Sequence, residues 1–243
     1  MPDTRSHRGA HPEDAKLFAR ERWPGLQAAT DDLCWLLDRG YAMRSSLALV
    51  GDRHALTDRQ RLAVARCACS HDQGERRRAH EVKLNVIAGG ELWIDGYNLL
   101  ISIESALGGG VILQARDGCY GDLASLHGTY RAVSETEPAL RLAGKALASW
   151  GVGPCRWILD RPVSNSGRLK TLMHELAAAN GWRWDIELEF SPDKVLSESP
   201  AIVVSSDSVV LDRCQNWFNA AREIITARVP MAWIVPVWRQ APG

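Results

Sequence analysis

The sequence predicts an α/β fold, a mostly parallel sheet with helices on both faces, preceded by a small all-α module. Three observations carry that expectation. From Leu84 onward, short apolar runs alternate with stretches of helical period, as in strands joined by crossover helices. Between about residues 20 and 70, apolar positions recur at spacings of three and four with no strand pattern. Finally, three of the short apolar runs give way to the same residue type, at Asp95, Asp160 and Asp207.

Residues 1–14 are polar and aperiodic, rich in His, Arg, Pro and Gly, and read as a disordered tail. Residues 15–80 read as a helical module and a basic linker. Leu26, Ala29, Leu33, Leu36 and Leu37 mark the first helix, and Gly40 stops it. A short helix over Leu47 to Val50 follows, ending at Gly51. Thr57 and Gln60 then have the capping-box form and open a third helix. The run from Ser70 to His80, with Gly74 and Arg76 to Arg78, reads as a linker: a solvated charge run or a local phosphate-contacting patch.

Residues 81–243 read as the α/β domain. Leu92 to Ile94 is a strand leaving through Asp95, and Val111 to Leu113 is a second strand behind three glycines. Ser134 to Glu137 looks like a capping box for a helix that stops at Gly151. Trp157 to Leu159 is a strand leaving at Asp160, and the next helix ends at Asn180-Gly181. Trp184 to Phe190 alternates as a half-buried strand does. Ile202 to Val204 leaves through Ser205, Ser206 and Asp207, a helix covers about Val209 to Ala227, and Met231 to Val237 closes the sheet.

Composition excludes several classes. Lys and Arg total 29 and so do Asp and Glu, so no global field marks a nucleic-acid coat or a membrane-surface protein. The first residues lack an apolar central stretch, and no run approaches the ~20 apolar residues of a membrane span, so the expectation is a cytoplasmic protein. The six cysteines are irregularly spaced and read as reduced buried thiols. Cys67 and Cys69 are too close for a zinc knuckle and have no second pair. Ten tryptophans, mostly inside or beside apolar runs, read as core.

The aspartates carry the chemistry. In a parallel α/β sheet, the carboxyl ends of neighbouring strands share one edge, where ligands bind. Carboxylates gathered there repel and raise one another's pKa unless a cation neutralises them. Hard oxygen ligands select Mg²⁺ or Mn²⁺, which accept phosphate oxygens and activate water, an arrangement suited to phosphodiester hydrolysis. Each Asp taken alone is an ordinary N-cap or turn residue. Three at three strand exits favour a metal site of Asp95, Asp160 and Asp207.

Leu92-Trp93-Ile94-Asp95-Gly96-Tyr97-Asn98-Leu99-Leu100 resembles the opening strand of NYN-type nucleases of the PIN-like superfamily. Trp157 to Asp160, Ser191 to Leu196 and Val203 to Asp207 resemble that family's later acidic segments, in the same order. The resemblance covers roughly residues 91–215. It implies a PIN-like fold and a metal-dependent nuclease, acting on RNA rather than DNA, with Asp95, Asp160, Asp193 and Asp207 as metal ligands or water activators. It makes Asn98 the group that orients the first carboxylate or a phosphate. The chain departs from the pattern at Pro192, in the short helix after Asp193, and in the long insertion before the second acidic strand, and these departures leave the fourth carboxylate that the resemblance implies open between Asp193 and Asp117 or Asp122. The whole chain also resembles a prokaryotic family known only as domains of unknown function, through Asp32 to Tyr41, Val50 to Arg53, Arg59 to Arg61 and Asp160 to Arg168.

Secondary candidates surround this edge. Arg161, Ser164, Asn165, Ser166 and Arg168 lie in a loop that opens a helix, and form a candidate phosphate site or an ordinary cap. Arg53, His54, Arg59, Gln60, Arg61 and Arg66 are candidates for contact with a nucleic-acid backbone or for docking within the chain. His127 beside Asp122 is a candidate acid/base pair or a structural histidine. Two other readings stand beside the nuclease: a non-catalytic nucleic-acid or protein binding module, and a metal-dependent phosphatase of small phosphoesters. The expected partner is RNA, no membrane is expected, and homo-oligomer formation is left open.

Overall fold

The computed structural model describes residues 7–124 and 130–238. His127 lies outside the described residues. The helical region contains α1 (Asp14–Leu17), α2 (Trp23–Leu37), α3 (Met43–Arg53), α4 (Asp58–Cys67) and α5 (His71–His80). The α/β region follows as β1 (Leu92–Asp95), α6 (Gly96–Leu107), β2 (Val111–Gln114), β3 (Tyr120–Asp122), α7 (Thr136–Ser149), β4 (Cys155–Asp160), α8 (Ser166–Asn180) and β5 (Trp184–Glu189). It ends with α9 (Pro192–Ser197), β6 (Ile202–Val204), α10 (Ser208–Leu211), α11 (Ala220–Arg228) and β7 (Trp233–Pro236).

The α/β class is as expected, with one difference: the strands divide between two sheets. The larger has the order β5-β4-β1-β6, with every pairing parallel. The smaller has the order β3-β2-β7, with β3 antiparallel to β2 and β7 parallel to it. Helices α6, α7, α8 and α11 bury one face of the larger sheet, through residues such as Leu99, Leu140, Met173 and Ile224. The opposite face packs against α9, α10, the smaller sheet and the helical region, which share one core. Strand β2 spans both cores, giving Ile112 to the first and Val111 and Leu113 to the second. The helical region therefore has no core of its own.

Several elements differ from their sequence reading. His7 to Asp14 is an exposed segment anchored at two buried residues, not a disordered tail: Arg8 Nε donates to Glu104 at 3.0 Å in the interior, and Arg59 holds the buried Asp14. α3 runs straight through Gly51. The helix beyond Asp207 breaks into α10 and α11 around Trp217, which is buried. The capping box at Ser134 does not form, because the Thr136 hydroxyl instead takes the Val133 amide at 2.9 Å. The capping box at Thr57 and the αL stop at Gly181 are as the sequence indicates.

The largest correction concerns Ser70 to His80. This charge run is a helix, α5, capped by a reciprocal Ser70–Gln73 box that the sequence reading missed. Its second-turn Arg77 is only 4% exposed and donates to Asp117 at 2.8 Å and to Asp212 at 2.7 Å. The Arg77 carbonyl accepts the Trp217 indole N–H. α5 is thus a clamp into the α/β domain, and its guanidinium holds two carboxylates in place. Arg77→Met leaves Asp117 buried without its cation, so unfolding in denaturant should show a loss of about 3–5 kcal/mol, the cost of breaking a buried pair from one side. A variant within 0.5 kcal/mol (about the spread of surface substitutions) removes this clamp from the account.

Candidate functional site

Strand β1 lies between β4 and β6, and its register places the acidic residues. Asp95 pairs with Ile158, so Asp160 lies two residues further along β4 on the same face. Ile94 pairs with Val204, so Ser205 stands level with Asp95 on the other side. The close approach of β4 depends on Gly96: a Cβ there would meet Leu159 Cδ2 at 2.5 Å and the Ile158 carbonyl oxygen at 3.1 Å.

Asp95 caps α6, accepting the Asn98 amide at 3.3 Å and the Ser205 hydroxyl at 2.8 Å. Asp207 caps α10, accepting the Val209 amide at 2.7 Å, and its own N–H donates to Ser205 Oγ at 3.0 Å. Asn98 Oδ1 accepts both the amide and the hydroxyl of Ser206, each at 2.9 Å. Asp95, Asn98 and Asp207 are thereby joined through Ser205 and Ser206, two residues to which the sequence reading gave no role. The signal was present in their position, between an apolar strand and an acidic exit.

Asp193, which the departures from the family pattern placed in doubt, joins this edge. α9 packs against β1, β4 and α10, with Leu196 in the core and Pro192 in the first turn, where its missing N–H costs nothing. Burial pushes the Asp95 carboxyl up to about 7, and the charges of Asp207 and Asp193 push the same way, against the Ser205 and Asn98 hydrogen bonds. The exposed Asp193 is raised by partial desolvation and then by Asp207 and Asp160. Burial alone raises the half-buried Asp160.

Tyr97, 6% exposed, is the other residue without a prior role. Its hydroxyl has no hydrogen-bond partner among the described residues, and burial followed by the Asp160 charge raises its pKa.

Other candidates separate from the edge. Asp117 is held by Arg77 and by the Cys119 amide. Asp122 accepts the Ser102 hydroxyl and the Ala124 amide, with Arg66 at 3.8 Å. Both are committed to partners inside the chain, whereas Asp193 is near enough to Asp207 and Asp160 for their charges to raise its carboxyl. The basic residues of the helical region also turn inward or pair locally. Arg53 and His54 meet Asp32, Arg59 meets Asp14, Gln60 donates to the Leu17 carbonyl, Arg61 meets Asp52, and Arg66 donates to the Asp122 carbonyl. Among the described residues, no three His, Cys, Asp or Glu side chains stand close enough to hold one ion.

The loop after Asp160 is partly spent on its own structure. Ser166 is buried with its hydroxyl on the Arg161 carbonyl, and Asn165, at φ 69°, donates to the Tyr130 carbonyl at 2.8 Å. The amides of Val163 and Ser166 bond within the turn. Ser164, Arg161 and Arg168 are exposed, neither arginine has an ion pair among the described residues, and Arg161 stacks on Phe190 at 4.8 Å.

Beside this edge a cavity of about 420 Å³ runs between α4 and α5 on one side and Asn98, Ser206 and Asp207 on the other. Among the described residues no helix is long and apolar enough to cross a membrane.

The fold and site define an α/β protein with an acidic strand-end edge under a docked helical region. Residues 84–223, more than half of the chain, match the family described as "Domain of unknown function (DUF5616)", and the chain belongs to that family. Residues 25–80 match a second family, "Protein of unknown function (DUF434)", so the junction between the two matches falls at the end of α5. An uncharacterized protein of Methanocaldococcus jannaschii is 25% identical over 190 residues, covering 76% of this chain and 91% of its own. No solved structure matches the chain. Neither family description nor the relative's name states an activity.

The raised Asp95 pKa has a consequence for stability. A carboxyl with a pKa of about 7 in the fold, against about 3.9 unfolded, binds its proton more tightly when folded. Stability from this group is full below pH ~4 and is lost as pH rises through about 7. In EDTA, Asp95→Asn should therefore melt higher than the parent at pH 8 by roughly 2–4 °C, the shift that about 1 kcal/mol produces at this size. The gain should vanish toward pH 4. Equal melting of the two proteins at both pH values would show that Asp95 titrates normally.

Proposed function

We propose that the chain is a metal-dependent nuclease of PIN-like type acting on RNA in the cytoplasm. One observation supports it most: Asp95, Asp160, Asp193 and Asp207 come from four segments toward one edge, where the charges of Asp207 and Asp193 raise Asp95 and those of Asp207 and Asp160 raise Asp193. Like charges held together in this way favour an added cation. The donors are all hard oxygens, which fits Mg²⁺ or Mn²⁺ held by Asp95, Asp160 and Asp207. Such an ion, when bound, polarises a phosphodiester and lowers the pKa of its water.

The chain's own groups do the rest. Asn98, locked by Ser206, keeps the first turn of α6 in place and orients a phosphate oxygen. Asp193 is exposed, and its raised pKa suits it to accept a proton from the attacking water. Arg161 and Arg168 bind a neighbouring phosphate of the substrate chain.

A second reading, a non-catalytic platform for RNA or protein, draws on the spacing, since among the described residues no three ligands stand close enough to share an ion. A labelled single-stranded RNA incubated with Mn²⁺ or with EDTA separates the two. The nuclease reading expects cleavage in Mn²⁺ only, reduced at least ~10²-fold in Asp95→Asn/Asp207→Asn, the lower range for losing positioned acid–base groups. Cleavage that survives the double substitution, or none on any RNA, counts for the platform.

A further inference from the structure

The N-terminal segment lies on the α/β domain as a bound peptide would. Between the buried anchors Arg8 and Asp14 every residue is exposed. A cavity of about 130 Å³ separates Gly9 to Pro12 from Ser105, Val111 and Leu123. The backbone of Arg8 and Gly9 rests on the glycines that follow α6. A Cβ on Gly108 would meet the Arg8 carbonyl carbon at 3.0 Å and the Gly9 nitrogen at 3.1 Å, and one on Gly110 would meet the Arg8 oxygen at 3.1 Å. The glycine triplet is therefore a bed for this segment.

The Arg8 side chain enters a built socket. Its Nε donates to Glu104 Oε2 at 3.0 Å, its Nη2 donates to the Arg131 carbonyl at 3.1 Å, and its guanidinium lies 5.5 Å from the centre of the Tyr130 ring. The other Glu104 oxygen accepts the Tyr130 and Thr136 hydroxyls, each at 2.6 Å. A carboxylate, a carbonyl and a ring face around one planar fork suit a guanidinium rather than an ammonium. Glu104 keeps both hydroxyl donors when Arg8 leaves, and burial favours its neutral form, so the socket survives without its occupant.

We propose that Glu104, Tyr130, Thr136 and the Arg131 carbonyl form a guanidinium-binding site that the chain fills with its own Arg8, and that residues 7–14 are a detachable strap. The strap acts on the acidic edge through Tyr130. The Tyr130 ring centre lies 5.1 Å from that of Tyr97, and the Tyr130 carbonyl accepts Asn165, in the loop after Asp160, at 2.8 Å. With the strap seated, Tyr130 is fixed under that loop; with the strap released, the loop loses this support. The device is independent of whether the edge cleaves RNA.

The test compares the full-length parent with Gly108→Ala and Arg8→Ala. At Gly108, whose φ is −79°, the three atoms nearest an added Cβ all belong to the strap, so this substitution lifts the strap and spares the body. Native-state trypsin digestion, followed by mass spectrometry, reads release of the fragment that begins at Gly9. Cleavage should be about ten-fold or more faster in Gly108→Ala than in the parent, as expected for a locally opened segment. Hydrogen exchange at the Val163 and Ser166 amides should be faster in both variants. Methylguanidinium, and not methylammonium, should raise the melting temperature of Arg8→Ala and slow that exchange again, with no effect on the parent. If Arg8→Ala does not fold, Gly108→Ala carries the test through cleavage and exchange. Equal cleavage of Gly108→Ala and the parent overturns the detachable strap. Rescue by methylammonium as well as by methylguanidinium, or by neither, overturns the guanidinium site. Equal amide exchange in all three proteins overturns the link to the Asp160 loop.

Discussion

Everything at the acidic edge depends on β1 being paired in parallel on both sides with no side chain at its exit. Gly96 lets α6 start directly against β4, since any Cβ there would strike Leu159 and the Ile158 carbonyl. With β1 so confined, Asp95, Ser205 and Asp160 have no freedom to separate along the sheet. The same register sends Asp95 and Asp160 to the face where α9 and α10 pack, and that brings Asp193 and Asp207 into range.

Two of these carboxylates hold structure and charge at once. Asp95 caps α6 and Asp207 caps α10, each an ordinary arrangement for a helix N-terminus. Reading them only as caps accounts for the hydrogen bonds but not for the clustering, because a cap gains nothing from a second carboxylate nearby. Reading them only as ligands ignores that one oxygen of each is already committed to backbone amides. The caps fix the orientation of both carboxylates, and the second oxygen of Asp95 accepts the Ser205 hydroxyl.

The helical region shows how formal charge misleads without tertiary structure. Its arginines look like a nucleic-acid surface in sequence, yet Arg59, Arg66 and Arg77 are spent on Asp14, the Asp122 carbonyl, Asp117 and Asp212. A guanidinium satisfies several acceptors at once, which makes it an effective tie between elements far apart in the chain. The result is a region that shares a core with the smaller sheet and encloses a cavity, where the sequence reading expected a module and a linker.

The sequence by itself determined the α/β class, the strand positions other than β3 and the strand-end aspartates, because these follow from local periodicity and from residue type. Thr57 and Gln60, Asn180 and Gly181, and the strands ending at Asp95 and Asp160 were legible for that reason. Only the tertiary structure decided the division into two sheets, the helix at Ser70 to His80, the inward arginines, and the partners that hold Asp117 and Asp122 inside the chain. Each of those depends on which distant group meets which, a matter of packing between elements that no local pattern encodes. The strand-end aspartates were visible in the chain, but the serines that join them and the cavity beside them came into being only when the strands and the helical region closed on one another.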